Sequence, residues 1–361
     1  MRRHVTYVVV EGQELLGTLK ALASAYGPPA WEKDVASRIE EALAPISSER
    51  WRDNLGNLFF RIGRGRGPRV MLVAHMDEVA MIVRHVDESG FLHIAPLGGL
   101  DPRVLIGQRV VVHGSSPVEG CIGVKPPHVM TPEEMKTVPN VKDLYVDVGA
   151  SSRAEAEAMG IRVGSYVTFP PNFHLSGNRV ISKALDDRAG CAAEVAIARE
   201  LASSSERPEL YAVFTVQEEL GLRGASVVVE QVDPDLAVVL ECTVAADVPG
   251  VPPQDHVTRL GVGAAIRAMD STMLTNPGLV RWLIGLAESR GIPYQVQVMT
   301  GGGTDAGRIH LQRRGIPTVV LATPCRYLHS PNLMLDLRDL EAVVRLGIAA
   351  VLDAEGALRA L

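Results

Sequence analysis

The 361-residue sequence has little cysteine, and what it has is scattered. Cys121, Cys191, Cys242 and Cys325 form no C-x-x-C pair, which argues against a disulfide framework or a thiolate zinc knot and suits a reducing cytoplasm. Long apolar runs are also missing. None reaches the roughly 18 residues of a membrane span, and the stretch in "MRRHVTYVVVEGQELLG" is shorter than the roughly seven apolar residues of a signal-peptide core. Positive charge is in deficit, with 42 acidic against 36 basic residues and a net charge of -6. Neither nucleic acid nor an anionic membrane surface is expected as a partner. Internal repeats, low-complexity tracts and long linkers are absent. At 47% hydrophobic and 22% charged, the chain reads as an ordinary globular protein with material for about two domains.

What the chain does hold is buried-strand material. "RVMLVAHMD", "LYAVFTVQEE", "LAVVLECT" and "PTVVLAT" are nearly continuous apolar runs, which predict strands buried on both faces of a mainly parallel sheet. Between and around them, "GQELLGTLKALASAYG", "PAWEKDVASRIEEALAP", "DDRAGCAAEVAIARELAS", "NPGLVRWLIGLAESRG" and the C-terminal "RDLEAVVRLGIAAVLDAEGALRAL" have helical period. Asn276 before Pro277 predicts a cap and first-turn pair. Alternating strands and helices predict an α/β sandwich. From about Val83 to Ile181 the rhythm changes to short β-rich pieces such as "GQRVVVHG", "LYVDVG" and "GSYVTFPP", separated by turn residues. A small β-barrel, 83–181, is therefore expected as an insertion between two parts of the α/β unit, 1–82 and 182–361. "GRGRGPR" reads as a solvated surface loop.

Charge stands where these apolar runs stop. In "VAHMDEVAMI", His75 and Asp77 are two residues apart and so share a strand face. That is how a carboxylate orients a metal-ligating imidazole, although such a pair standing alone is more often structural. Asp186 and Asp187 precede a helix: one suffices as a cap, leaving the other free to bridge two cations. Glu218 and Glu219 in "TVQEELG" are neighbours whose side chains point to opposite faces, which suggests two jobs. Glu241 follows five apolar residues, with a solvated strand end as its plain alternative, and His329 lies in the loop after "TVVLA". All five positions fall at or after the C-terminal ends of strands, where open α/β sheets bind ligands. Together, His75, Asp186, Glu219, Glu241 and His329 read as ligands for two divalent ions.

Three carboxylates and two neutral imidazoles carry about -3 against +4 for two cations. Without cations, five carboxylates, counting Asp77 and Glu218, would repel one another. Glu218, left free, is the expected general base. Oxygen and nitrogen ligands without thiolate admit zinc, cobalt or manganese. Cys325 lies four residues before His329 but lacks the orienting third group of a cysteine nucleophile.

The motifs H-x-D-E, A-L-D-D-R, Q-E-E-L-G, E-C-T, G-G-G-T-D-A and Y-L-H-S-P, in this order over nearly the whole chain, resemble those of the M42 family of dinuclear metallo-aminopeptidases. The resemblance implies a metallopeptidase α/β sandwich of the phosphorylase/hydrolase-like kind, interrupted by a β-barrel dimerisation domain. It implies that Asp186 bridges the metals, that His75 and Glu241 complete one site, and that Glu219 and His329 complete the other. Glu218 becomes the base and Asp77 the orienter of His75. Members commonly carry Asp where this chain has Glu241, so a longer arm must reach the same metal. "MTGGGTDAGRIH" lacks the closing G-K-[ST] of a phosphate loop. Its family counterpart lies beside the active centre, which makes Gly302, Gly303, Thr304 and Asp305 substrate-side candidates, with a helix cap at Thr304 or Asp305 as the alternative.

The expected activity is cytoplasmic removal of N-terminal residues from short peptides. Hydrolysis of a non-peptide amide, such as an N-acyl amino acid, is a second reading. A non-enzymatic peptide-binding or assembly protein on the same fold is a third. The barrel's apolar strands exceed what so small a unit can bury. With the resemblance, this implies at least a homodimer and, as a further stage, a dodecamer.

Overall fold

The structure is a computed structural model that describes residues 12–63, 65–204 and 207–361. The N-terminal apolar stretch, His4 and Arg64 of the basic loop lie outside the described residues.

The apolar runs form the centre of an 11-stranded sheet. Glu209–Thr215, Arg69–His75, Leu236–Val244 and Thr318–Arg326 lie side by side in that order, all parallel. Alternate residues feed two different cores: Val70, Leu72 and Ala74 join the larger, Met71 and Val73 the smaller. Both faces are buried, which is why these strands read as unbroken apolar runs. The flanks are antiparallel, with Leu58–Ile62 against Glu209–Thr215 and Leu333–Asp336 against Thr318–Arg326. The sheet is thus mixed, and parallel where its central strands end together.

Helices cover both faces. Gly12–Ala23, Lys33–Leu43, Leu185–Ala202, Pro277–Ser289 and Leu337–Leu352 close the larger core, while Ala225–Val232 and Ala306–Ile309 close the smaller. Asn276 caps its helix as the spacing predicts, accepting the Gly278 N–H at 2.7 Å. The C-terminal periodic stretch is two helices and not one: Leu337–Leu352 stops at Asp353, and Ala354–Arg359 follows. Asp353 accepts the Trp282 indole N–H at 2.8 Å, a tertiary contact that periodicity does not register.

Six strands, running from Ala80–Val86 to Tyr166–Thr168, close into a barrel with its own core around Met81, Ile94, Val112 and Val167. The chain then rejoins the large sheet through His174–Ser176 and Arg179–Ser182. Glu78 stands where the chain leaves the α/β layers and Lys183 just after it has rejoined the sheet, and their side chains meet at 2.7 Å. Among the described residues no helix is long and apolar enough to cross a membrane.

Candidate metal centre

Beyond the C-terminal edge of the four parallel strands opens a cleft of about 770 Å³ whose wall carries His75, Asp186, Glu218, Glu219, Glu241 and His329. They come from five stretches along that edge, Glu218 and Glu219 sharing one. His75 is the last residue of its strand and pairs with Thr215, so Glu218 and Glu219 follow just beyond the neighbouring strand. Glu241 lies within Leu236–Val244, and His329 three residues past Thr318–Arg326. Asp186 opens the helix Leu185–Ala202 with φ -84 and ψ 110, before regular helical geometry begins.

His75 Nε2 is 3.3 Å from Asp186 Oδ1 and 3.5 Å from Glu241 Oε1. His329 Nε2 is 3.4 Å from Asp186 Oδ2 and 3.3 Å from Glu219 Oε1. Charge-assisted hydrogen bonds would close to about 2.7–2.9 Å. Bonds of roughly 2.0–2.1 Å to a tetrahedral ion place neighbouring donors about 3.3–3.4 Å apart. Each imidazole Nε2 thus stands at ligand spacing from two carboxylates; Asp186, Glu219 and His329 close into one compact donor group, while His75 and Glu241 also gather with Asp187. The imidazoles agree: His329 Nδ1 faces the Gly99 carbonyl at 2.8 Å, and His75 Nδ1 faces the Asp77 carbonyl at 3.2 Å. With the ring proton on Nδ1, each Nε2 offers a lone pair to the centre.

Electrostatics point the same way. Burial drives the Glu218 carboxyl well above its ordinary range, and Glu241 and Glu219 add repulsion against the pull of His75. Burial likewise carries Glu219 up to about 8. Burial opposes protonation of His329, but Asp186 and Glu219 raise it to about 9. His75 rises too, burial being outweighed by Glu241, Glu218, Asp186 and Asp77. Burial disfavours the Asp186 charge, yet the two imidazoles hold its carboxyl well below the carboxylate range. Protons here stand in for positive charge, which is what a divalent cation supplies.

The paired acids divide their work. Asp187 caps the helix, accepting the Gly190 N–H at 2.9 Å, and leaves Asp186 to face both imidazoles. The strand stops at His75, so Asp77 is brought to the ring by the following turn and not by the two-residue repeat of a strand. Its carboxylate is 3.5 Å from His75 Nδ1 and also accepts the Glu218 and Glu219 N–H groups, at 2.9 and 3.1 Å. It therefore locks the turn that carries both acids. Glu78 is not part of the wall of the cleft and binds Lys183 and Arg188. Gly98, in the left-handed region at φ 94, has room for no side chain: a Cβ there would meet Val79 at 2.8 Å and Glu219 at 3.2 Å.

Gly302 and Gly303 line the cleft, together with Arg267, Thr272 and Met299. Thr304 and Asp305 are buried behind that wall, and Asp305 accepts a short hydrogen bond from Thr215. Sequence reasoning missed Gly99, Lys183 and Arg188, because their partners are 100 or more residues away and no local pattern marks them.

A family model described as M42 glutamyl aminopeptidase matches residues 56–346. The lysyl aminopeptidase of Pyrococcus furiosus is 36% identical over 320 residues, 86% of this chain and 89% of that protein. Among solved structures, a TET aminopeptidase from a marine sediment Thaumarchaeota archaeon superposes with a TM-score of 0.93 at 37% identity, covering 97% of this chain and 99% of that one. The Pyrococcus horikoshii TET1 peptidase, described as able to assemble into a tetrahedron or a large octahedral shell, gives 0.83 at 32% identity, covering 93% and 99%. The chain belongs to the M42 family of peptidases, hydrolases of the aminopeptidase type.

Proposed function

We propose that this chain removes N-terminal residues from short peptides at a two-metal centre in which Asp186 lies between the ions, with His75 and Glu241 on one and Glu219 and His329 on the other. The observation that carries the reading is the two donor groups, at 3.3–3.5 Å separations, that share Asp186. Bound there, two divalent ions (zinc, cobalt or manganese) would supply the charge that acidifies a water and polarises the scissile carbonyl. Glu218 handles the proton. Its Oε2 lies 4.0 Å from His75 Nε2, farther than the 3.3 and 3.5 Å of Asp186 and Glu241. A carboxyl raised by burial is suited to take a proton from the attacking water and return it to the leaving amine near neutral pH. Asp77 fixes the His75 ring and the turn bearing Glu218. Gly302 and Gly303 present backbone to the peptide, with Thr304 and Asp305 supporting that loop from behind.

We read the segment 83–181 as the unit that pairs subunits. Val129, Met135, Val138 and Val163 on it are all more than half exposed, which supports a contact surface. The shells formed by the P. horikoshii relative support assembly beyond a dimer. Enclosed sites would admit short or unfolded peptides and spare folded proteins.

The test is Glu218→Gln, assayed on amino-acid anilides and their N-acylated counterparts. The variant should keep its metals and lose about 100- to 10,000-fold in turnover, while the parent enzyme should cleave only free-amine substrates. Near-normal turnover with metals bound would remove Glu218 from its role. A preference for acylated substrates would overturn the peptide reading.

A further inference from the structure

A buried carboxylate in the loop before the second helix has so far been left without a task. Glu32 precedes the helix Lys33–Leu43 and is 6% exposed, yet its side chain makes no capping hydrogen bond to that helix. Its Oε1 turns elsewhere, accepting the Ala30 N–H at 2.8 Å and the Gln217 N–H at 3.2 Å. Gln217 is the residue before Glu218. Its backbone is left-handed, at φ 54, a conformation unfavourable for a residue with a side chain. Such a conformation persists only where its surroundings hold it.

Those surroundings can be followed amide by amide. Val216 N–H donates to Asn57 Oδ1 at 3.0 Å, Gln217 N–H to Glu32, and the Glu218 and Glu219 N–H groups to the two oxygens of Asp77. Four successive amides are thus each received by a buried side chain from a distant part of the chain. Glu32 takes the one whose backbone is left-handed. Its own loop is pinned in turn: Trp31 stacks on Tyr166 of the barrel with ring centroids 5.6 Å apart, and the Tyr166 hydroxyl donates to the Pro29 carbonyl at 3.2 Å. Gly27, at the start of the loop, exchanges backbone and side-chain hydrogen bonds with Glu78. Glu32 therefore sits on a fixed platform rather than on a free turn.

We propose that Glu32 is a positioning residue for the general base: by holding the Gln217 amide it keeps the left-handed backbone that aims the Glu218 side chain at the attacking water. The inference rests on the reading of Glu218 as the base. Glu32 touches neither substrate nor donor atoms. Its loss lets Gln217 relax and redirects Glu218, so the effect falls on kcat and leaves KM and metal content in place.

The experiment is steady-state kinetics of the metal-saturated enzyme on amino-acid anilides. Glu32→Ala lowers kcat by about 10- to 100-fold, the scale of a small misplacement of a reacting group. Glu32→Gln retains an acceptor oxygen for Gln217 and recovers most of that loss. In a Glu218→Gln background, Glu32→Ala makes no further difference, whereas a merely structural role would lower the residual rate as well. Unchanged kcat in Glu32→Ala overturns the proposal, as does a Glu32→Gln enzyme as slow as Glu32→Ala. If Glu32→Ala does not fold, Glu32→Asp, which withdraws the carboxylate by one methylene, takes its place: reduced kcat supports the role and parental kcat defeats it. A fully active Glu218→Gln enzyme would defeat the base itself. An inactive one beside an unimpaired Glu32→Ala enzyme defeats only the positioning role.

Discussion

Glu78 is one residue from Asp77 and has a different occupation. Its two oxygens lie 2.7 and 2.9 Å from Lys183 Nζ, and Arg188 Nη2 is 3.2 Å from the first of them. All three side chains are 0–2% exposed. Burial draws Lys183 down to about 8 against the opposing pull of Glu78, so its charge depends on the carboxylate beside it. Breaking a buried pair from one side leaves an uncompensated charge and costs about 3–5 kcal/mol. Glu78→Ala should lose that much in urea unfolding of the metal-loaded protein, and Lys183→Met on top of it should recover part of the loss. A change below about 1 kcal/mol, the scale of an exposed pair, would show that the cluster is not what holds this junction. At this scale the sequence is legible in one respect only. Acids and histidines at the ends of apolar runs announce a centre, but adjacent acids cannot be told apart. Asp186 and Asp187, or Asp77 and Glu78, differ by one position and face different partners, and the partners of the Glu78 carboxylate are 105 and 110 residues away.

Strands and helices were more readable than residues, because burial on both faces and helical period are properties of a segment's own composition. The four core strands, the inserted barrel and the Asn276 cap follow from it. The break at Asp353 and the antiparallel flanks do not, since both depend on neighbours distant in sequence. The same convergence of strand ends sets a measurable cost. Glu219 at about 8, Asp305 at about 7 and His329 at about 9 all hold protons more tightly folded than unfolded. Their contribution to stability is complete below the unfolded values, about 4 for the carboxyls and 6.5 for the imidazole. It is lost as pH rises through the folded values. Chelated protein should therefore lose thermal stability progressively from about pH 4 to 9, whereas metal affinity grows over that range as ligands shed protons. Calorimetry with chelator and with zinc across this interval should show the gap in Tm widening with pH. A constant gap would separate these groups from metal binding.

At the scale of the whole molecule, two layers of helix around one sheet carry a barrel that has its own core and leaves apolar side chains in solvent. If those side chains mark a joint between copies, light scattering at micromolar concentration should give a dimer or larger, and replacing Val129, Met135 and Val138 by serine should shift the population downward. A stable, fully active monomer would contradict the assembly reading. The seam of this insertion has a further consequence. The chain departs at Glu78 and is back in the sheet by Lys183, and an ion pair closes the gap between them. A segment whose two ends meet can be taken up, lengthened or traded between related proteins as one cassette, leaving the layers beneath undisturbed. The trade has one condition, because the loop after the barrel strand Leu92–Leu97 supplies the Gly99 carbonyl that holds the His329 ring. A donor barrel must bring a tight, side-chain-free turn to that spot, so exchange among barrels is restricted by the chemistry of the site they border.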